Sequence, residues 1–242
     1  NGVSAGAANP GINLSSSEAM STTSGNITMN ASSTTYYALI LNPNASITSG
    51  TGNIALSGTS SASAGLRFTN STSVTTTGAS GGNITLSGTG ANYGVYFCNS
   101  SCLAGTNGTI AAVAGNISIT GVGSTGILDA AGDAVVIGSG AMTGNISLYA
   151  NVMSLPSVSI QTAGMLTIAP LTTSTTMGVG PSSGSTLNIP DAVLSSFNAG
   201  SYVFGSTSAG NLTVNTTNNF GTKNVTFISG GNITLAGTLT KA

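Results

Sequence analysis

Gly82-Asn83-Ile84-Thr85-Leu86-Ser87 decides the fold of this chain. Ile84 and Leu86 alternate with hydroxyl residues, so in an extended strand the apolar pair turns to one side and Thr85 and Ser87 to the other. Glycine and asparagine just ahead of the strand are turn residues. The same order recurs at Gly25-Asn26-Ile27, Gly52-Asn53-Ile54, Gly115-Asn116-Ile117, Gly144-Asn145-Ile146, Gly210-Asn211-Leu212 and Gly231-Asn232-Ile233. The spacings along the chain are 27, 30, 33, 29, 66 and 21 residues, and 66 is twice 33. A turn and strand recurring about every 30 residues is the mark of a solenoid.

Aligning the early units on their Gly-Asn brings out two further strands in each. The second strands read Ala38-Leu39-Ile40-Leu41, Gly65-Leu66-Arg67-Phe68, Gly94-Val95-Tyr96-Phe97 and Gly126-Ile127-Leu128. The third strands read Ala45-Ser46-Ile47-Thr48, Ser73-Val74-Thr75, Thr109-Ile110-Ala111-Ala112-Val113 and Ala134-Val135-Val136-Ile137. Three short strands per unit, then a return to the start, describe one coil of a three-sided parallel β-helix. Each coil adds about 4.8 Å, so about eight coils from Gly25 onward predict a rod of roughly 40 Å. The expected organisation is a cap or extension over residues 1–24 and a solenoid over 25–242, with regular coils over 25–164 and final coils over 210–242. Pro190-Asp191-Ala192-Val193-Leu194 is the best helical signal, one turn with Asp191 as a possible cap.

Composition narrows the function classes. Of 242 residues 40% are apolar and only 3% charged, and the net charge is −1. The charged residues are Glu18, Asp129, Asp133, Asp191, Arg67, Lys223 and Lys241. Without a basic patch, nucleic acid and anionic membrane surfaces are not expected partners. No apolar run approaches the length of a membrane span. The start, Asn1-Gly2-Val3-Ser4, has no signal-peptide character and no initiating methionine, which predicts a mature form or an internal piece. A nearly uncharged surface of Ser, Thr, Asn and Gly fits an extracellular or cell-surface setting. Gly231 to Thr240 reads as a good coil with no capping helix after it. That end is expected to meet copies of the chain or flanking coils of a longer one, because an open coil exposes backbone and apolar side chains.

Residues 165–214 follow a different pattern. They run Met165-Leu166-Thr167-Ile168-Ala169-Pro170, Thr176-Met177-Gly178-Val179-Gly180, Ser185-Thr186-Leu187-Asn188-Ile189, Ser201-Tyr202-Val203-Phe204-Gly205-Ser206 and Gly210-Asn211-Leu212-Thr213-Val214. This order resembles a segment of filamentous-haemagglutinin-like secreted exoproteins. The resemblance covers about fifty residues closely and the rest through the coil pattern alone. It implies a right-handed parallel β-helix, a role in adhesion or fibrous surface structure, and a host-surface or carbohydrate receptor.

Catalytic chemistry finds little purchase. Histidine is absent, so a Ser-His or Cys-His relay cannot form. Glycoside hydrolysis needs two carboxylates, and Asp129 with Asp133 is the only close pair, expected to flank a solvated turn. A polysaccharide-active β-helix enzyme is therefore the least favoured reading, and neither a cofactor nor a metal site is expected. Cys98 and Cys102, in the longest unit, are expected to form a disulfide that stitches an enlarged loop. Tyr36, Tyr37, Tyr93, Tyr96 and Phe97 fall at equivalent places in their coils, where packing is expected before sugar binding.

Asn-x-Ser/Thr acceptors occur at 14 of the 24 asparagines. Asn30, Asn44, Asn70, Asn99 and Asn107 are expected in turns and are the better candidates for attached glycans. Asn13, Asn26, Asn83, Asn116, Asn145, Asn211, Asn215, Asn224 and Asn232 are secondary, because strand alternation alone generates many of them. The leading functional expectation is a non-enzymatic rod of a bacterial surface adhesin or fibre. The alternative is a subunit of a glycosylated, self-assembling filament stacked end to end.

Overall fold

The computed structural model describes residues 2–4, 9–97, 108–130, 134–181, 184–217 and 219–237. Cys98, Cys102, Asn99, Asn107, Asp133 and Lys241 lie outside the described residues. The rest is a parallel β-solenoid with three faces.

Each strand of the first face pairs in register with its counterpart one coil away. Ile27–Ser33 pairs with Ile54–Ser60, which pairs with Ile84–Gly90, then Ile117–Val122 and Ile146–Tyr149. The stack continues through the latter halves of Val158–Ala169 and Phe197–Gly205 to Asn224–Ile228. Register puts Ile27, Ile54, Ile84, Ile117, Ile146 and Leu166 in one column, and the last five are at most 1% exposed. No coil could bury its own isoleucine. Stacking removes each side chain from water, worth about 1.5–3 kcal/mol apiece.

The second face runs Ile12–Leu14, Leu39–Leu41, Ala64–Phe68, Tyr93–Phe97, Thr125–Asp129 and Met153–Ser154. The third runs Ala19–Thr22, Ser46–Ser49, Ser73–Thr76, Gly108–Ala112 and Val135–Gly138, then the first halves of the two long strands. A glycine at the end of the first strand lets the chain fold tightly onto the second. A Cβ at Gly88 would stand 1.9 Å from the Gly94 carbonyl oxygen, and one at Gly58 would stand 2.1 Å from that of Gly65. Only hydrogen fits there.

Four expectations are corrected. The boundary at 24/25 is not structural, because Gly2–Ser4, Ile12–Leu14 and Ala19–Thr22 already pair as rungs of the three faces. Gly210-Asn211 and Gly231-Asn232 do not open the first strand of a coil. Leu212–Val214 and Ile233–Leu235 follow them on a separate sheet, where Leu212–Val214 pairs with Met177–Val179 on one side and with Ile233–Leu235 on the other. The copy missing from the 66-residue interval belongs at Gly164-Met165, where Val158–Ala169 passes from the third face to the first as one strand. Asn30 lies within the strand Ile27–Ser33, not in a turn.

The fourth correction concerns the helix. Asp191–Leu194 is one helical turn as expected, but Pro190 occupies the N-cap position and no side chain caps it. Just before it, Leu187–Ile189 pairs in parallel with Met177–Val179, so the chain steps back and adds a strand below the one it has just laid down. That out-of-order strand closes the four-stranded sheet on the side of Met153–Ser154, with no ladder between them.

Candidate functional site

Two surface features arise from this stacking. The first is an asparagine ladder at the corner before the first face. Asn53 N–H donates to Asn26 Oδ1, Asn83 N–H to Asn53 Oδ1, Asn116 N–H to Asn83 Oδ1 and Asn145 N–H to Asn116 Oδ1, each at 2.8 Å. Met165 N–H continues it onto Asn145 Oδ1 at 2.9 Å. A shorter ladder starts again at the corner before the separate four-stranded sheet, with Asn232 N–H on Asn211 Oδ1 at 3.0 Å. The corner amide has no strand partner in its own coil, and the carboxamide of the coil below satisfies it. The signature asparagine is therefore an axial tie, a role that strand alternation does not reveal.

The second feature is on the outer side of the second face. Register aligns Asn13, Ile40, Arg67, Tyr96, Leu128 and Ser154 in one column. Arg67 stands between the inward Leu66 and Phe68, 0% and 3% exposed, so its side chain leaves the core. Its guanidinium carbon lies 4.7 Å from the centre of the Tyr37 ring. On the next rung Tyr93 packs on Tyr96 with ring centres 4.7 Å apart. Ile40 and Tyr96 are 5% and 9% exposed despite facing outward. Arg67 Nε is shielded from water and has no hydrogen-bond partner. An unmet donor of this kind costs about 1–3 kcal/mol. Among the described residues no carboxylate pairs with this guanidinium, the only one in the chain.

The expected aromatic group thus divides. Phe97 enters the core, stacked on Phe68 at 5.3 Å, while Tyr36, Tyr37 and Tyr93 stay half-buried at the outer corner. Tyr36 and Tyr37 meet edge to face at 4.5 Å. The link between Arg67 and Tyr37 spans thirty positions of sequence, and only coil register brings the two together.

The acidic residues fall elsewhere. Asp129 is 1% exposed and stands in register with Phe97, on the inward column, so it is not the solvated turn residue expected from sequence. Its Oδ2 accepts the Ser157 N–H at 2.8 Å. Asp191 accepts from Thr216 Oγ1, from Thr217 N–H at 3.0 Å and from Thr217 Oγ1 at 2.8 Å, and so ties the helical turn to the following coil. Glu18 Oε2 accepts the Ser15 N–H within its own turn. Among the described residues no three His, Cys, Asp or Glu side chains converge to hold a metal, and no helix is long and apolar enough to cross a membrane.

Among the acceptor asparagines, Asn44 is exposed in a turn with φ of 64°. Asn70 lies in a turn and is half-buried. Asn30 Oδ1 accepts from Ser57 Oγ, and Asn13 Oδ1 from Asn42 Nδ2. Asn26, Asn83, Asn116, Asn145, Asn211 and Asn232 are the exposed ladder residues, Asn224 is exposed at the start of Asn224–Ile228, and Asn215 is half-buried.

Comparison of the chain with protein-family models, with curated proteins and with solved structures found no match.

Proposed function

We propose that this chain is the non-enzymatic rod of a secreted bacterial surface adhesin or fibre of the filamentous-haemagglutinin-like kind. The observation that carries the reading is the unbroken first face. Its rungs from Ile27–Ser33 to Asn224–Ile228 hold one register inside, and an axial hydrogen-bond ladder runs along most of the corner outside. Such a stack transmits load along its axis through many parallel bonds, which suits a projecting stalk. The outer wall is hydroxyl and amide with very few charges, so hydration rests on Ser, Thr and Asn and on glycans attached at exposed turns such as Asn44.

A second reading, rods stacked end to end as a filament, draws support from Ile233 and Leu235. They are 47% and 61% exposed on the last described rung, an apolar edge that another rung would cover. Electron microscopy of cells labelled with antibody against the chain tests both readings. Label along surface fibres supports the rod, and an axial repeat of about 40 Å, one chain of stacked rungs, selects the filament. Label confined to the cell interior removes both.

A further inference from the structure

We propose that Arg67, with Tyr37 beside it and Tyr93 on the adjoining rung, forms a binding site for a carboxylate-bearing saccharide on the outer side of the second face. The site belongs to the wall of the solenoid and stands independently of whether the rod is a stalk or a filament.

Three observations converge on a planar anion. The guanidinium forms no hydrogen bond or ion pair among the described residues, whereas each described carboxylate, Glu18, Asp129 and Asp191, accepts a hydrogen bond elsewhere. Tyr37 covers it at 4.7 Å, which holds the planar fork in place. Arg67 is half-buried between Ile40 and Tyr96 in the same outward column, themselves 5% and 9% exposed. Low-dielectric neighbours strengthen a charge-assisted bond to an incoming carboxylate. The rest of the column offers Asn13, Leu128 and Ser154 and no competing acid.

The choice of a saccharide rests on the tyrosines. Tyr93 packs on Tyr96 at 4.7 Å and remains half-buried, one rung from Arg67. Rungs are about 4.8 Å apart, close to the width of one sugar ring. A uronic acid can place its carboxylate on Arg67 and its apolar ring face against the tyrosines. An acidic peptide would engage the guanidinium and leave the tyrosine faces uncovered.

The test is titration of the whole chain with a linear trisaccharide of galacturonic acid, followed by calorimetry and by saturation transfer to the sugar ring protons. Maltotriose serves as the uncharged probe and a glutamate hexapeptide as the acidic one. The expected results are binding of the galacturonate alone, weakening as salt is raised, and at least about tenfold loss in Arg67→Gln. Arg67→Lys should fall between the two, because it keeps the charge and loses the fork. Tyr93→Ala should lose ring saturation while its thermal midpoint stays near that of the parent, which keeps the test decisive if Arg67→Gln fails to fold. No binding of the galacturonate, equal binding of maltotriose, tighter binding of the hexapeptide, or an unchanged Tyr93→Ala overturns the proposal.

Discussion

Asn83 Oδ1 accepts the backbone N–H of Asn116 at 2.8 Å, across 33 residues of sequence and a single rung of the solenoid. The same bond recurs from coil to coil, so the asparagine of each Gly-Asn corner acts on the coil above rather than on its own turn. Asn83→Ala removes the acceptor and leaves the Asn116 amide to water at an exposed corner. The expected loss is about 0.5–1.5 kcal/mol, read as a lower urea midpoint at unchanged slope. Asn83→Asp keeps an acceptor and should lose less. Equal losses for the two would show that the ladder bond contributes little.

Gly88 and Gly140 should respond in opposite ways to alanine. At Gly88 the added carbon meets the Gly94 carbonyl oxygen at 1.9 Å, a backbone atom that cannot move without opening the corner between the first and second faces. Gly88→Ala should cost about 3 kcal/mol or more, the range of severe overpacking. At Gly140 the nearest atom is Gln161 Oε1 at 3.8 Å. Gly140→Ala should be neutral or stabilise by up to about 1 kcal/mol through the unfolded chain. Thermal melts of the two variants beside the parent decide the matter.

Asp191 is predicted to pin the segment after Leu212–Val214. Its carboxylate accepts one bond from Thr216 and two from Thr217, and none of the three lies in a strand ladder. Asp191→Ala should leave the first face intact and speed amide exchange at Thr217 by about tenfold, the effect of losing one charge-assisted bond of about 1.5 kcal/mol at a half-exposed site. Unchanged exchange at Thr217 would refute the tie.

How much of this was legible follows from what each residue reports. Ile84 and Leu86 alternate with hydroxyls, and period-two alternation reports a buried face directly. The same local rule located Leu39–Leu41, Ala64–Phe68 and Tyr93–Phe97, each within two residues of its expected start. It misled at Asp129, because a polar residue at the end of a strand reads as turn whether it points in or out. It also could not place Gly210-Asn211, since a Gly-Asn corner precedes a strand on any face and only register says which. The backward step of Leu187–Ile189 leaves no local mark, because three alternating residues pair as well above Met177–Val179 as below it. The Arg67–Tyr37 contact was hidden for the same reason.

Glycans, where the native protein carries them, should favour Asn44 over Asn83. Asn44 is exposed in a turn, whereas Asn83 Oδ1 holds the next coil and the acceptor Asn116 stands one rung away. Rungs about 4.8 Å apart leave no room for a sugar on each. Peptide mapping of the native material should therefore find mass added at Asn44 at higher occupancy than at Asn83. An intact mass equal to the bare 23.3 kDa chain would remove glycosylation altogether.

The seam beside Met153–Ser154 should be the weakest point of the second face. Six strands pair in unbroken order down to it, and Leu187–Ile189 begins a separate sheet with no ladder across the gap. The gap is a cleft of about 200 Å³ lined by Met153, Leu155, Pro156, Ile189, Pro190 and Val193. Among the described residues no strand ladder crosses this junction, while ladder bonds hold the first face on the same level. Met153 and Leu155 amides should therefore exchange at least about tenfold faster than those of Leu86 and Ser87, since local opening there breaks fewer bonds. Val193, 9% exposed at the cleft wall, offers the complementary test. Val193→Leu should fill part of the cleft and slow exchange at Met153 without altering it at Leu86. Exchange rates at Met153 matching those at Leu86 in the parent chain would show that the seam is as firmly bonded as the rest of the stack.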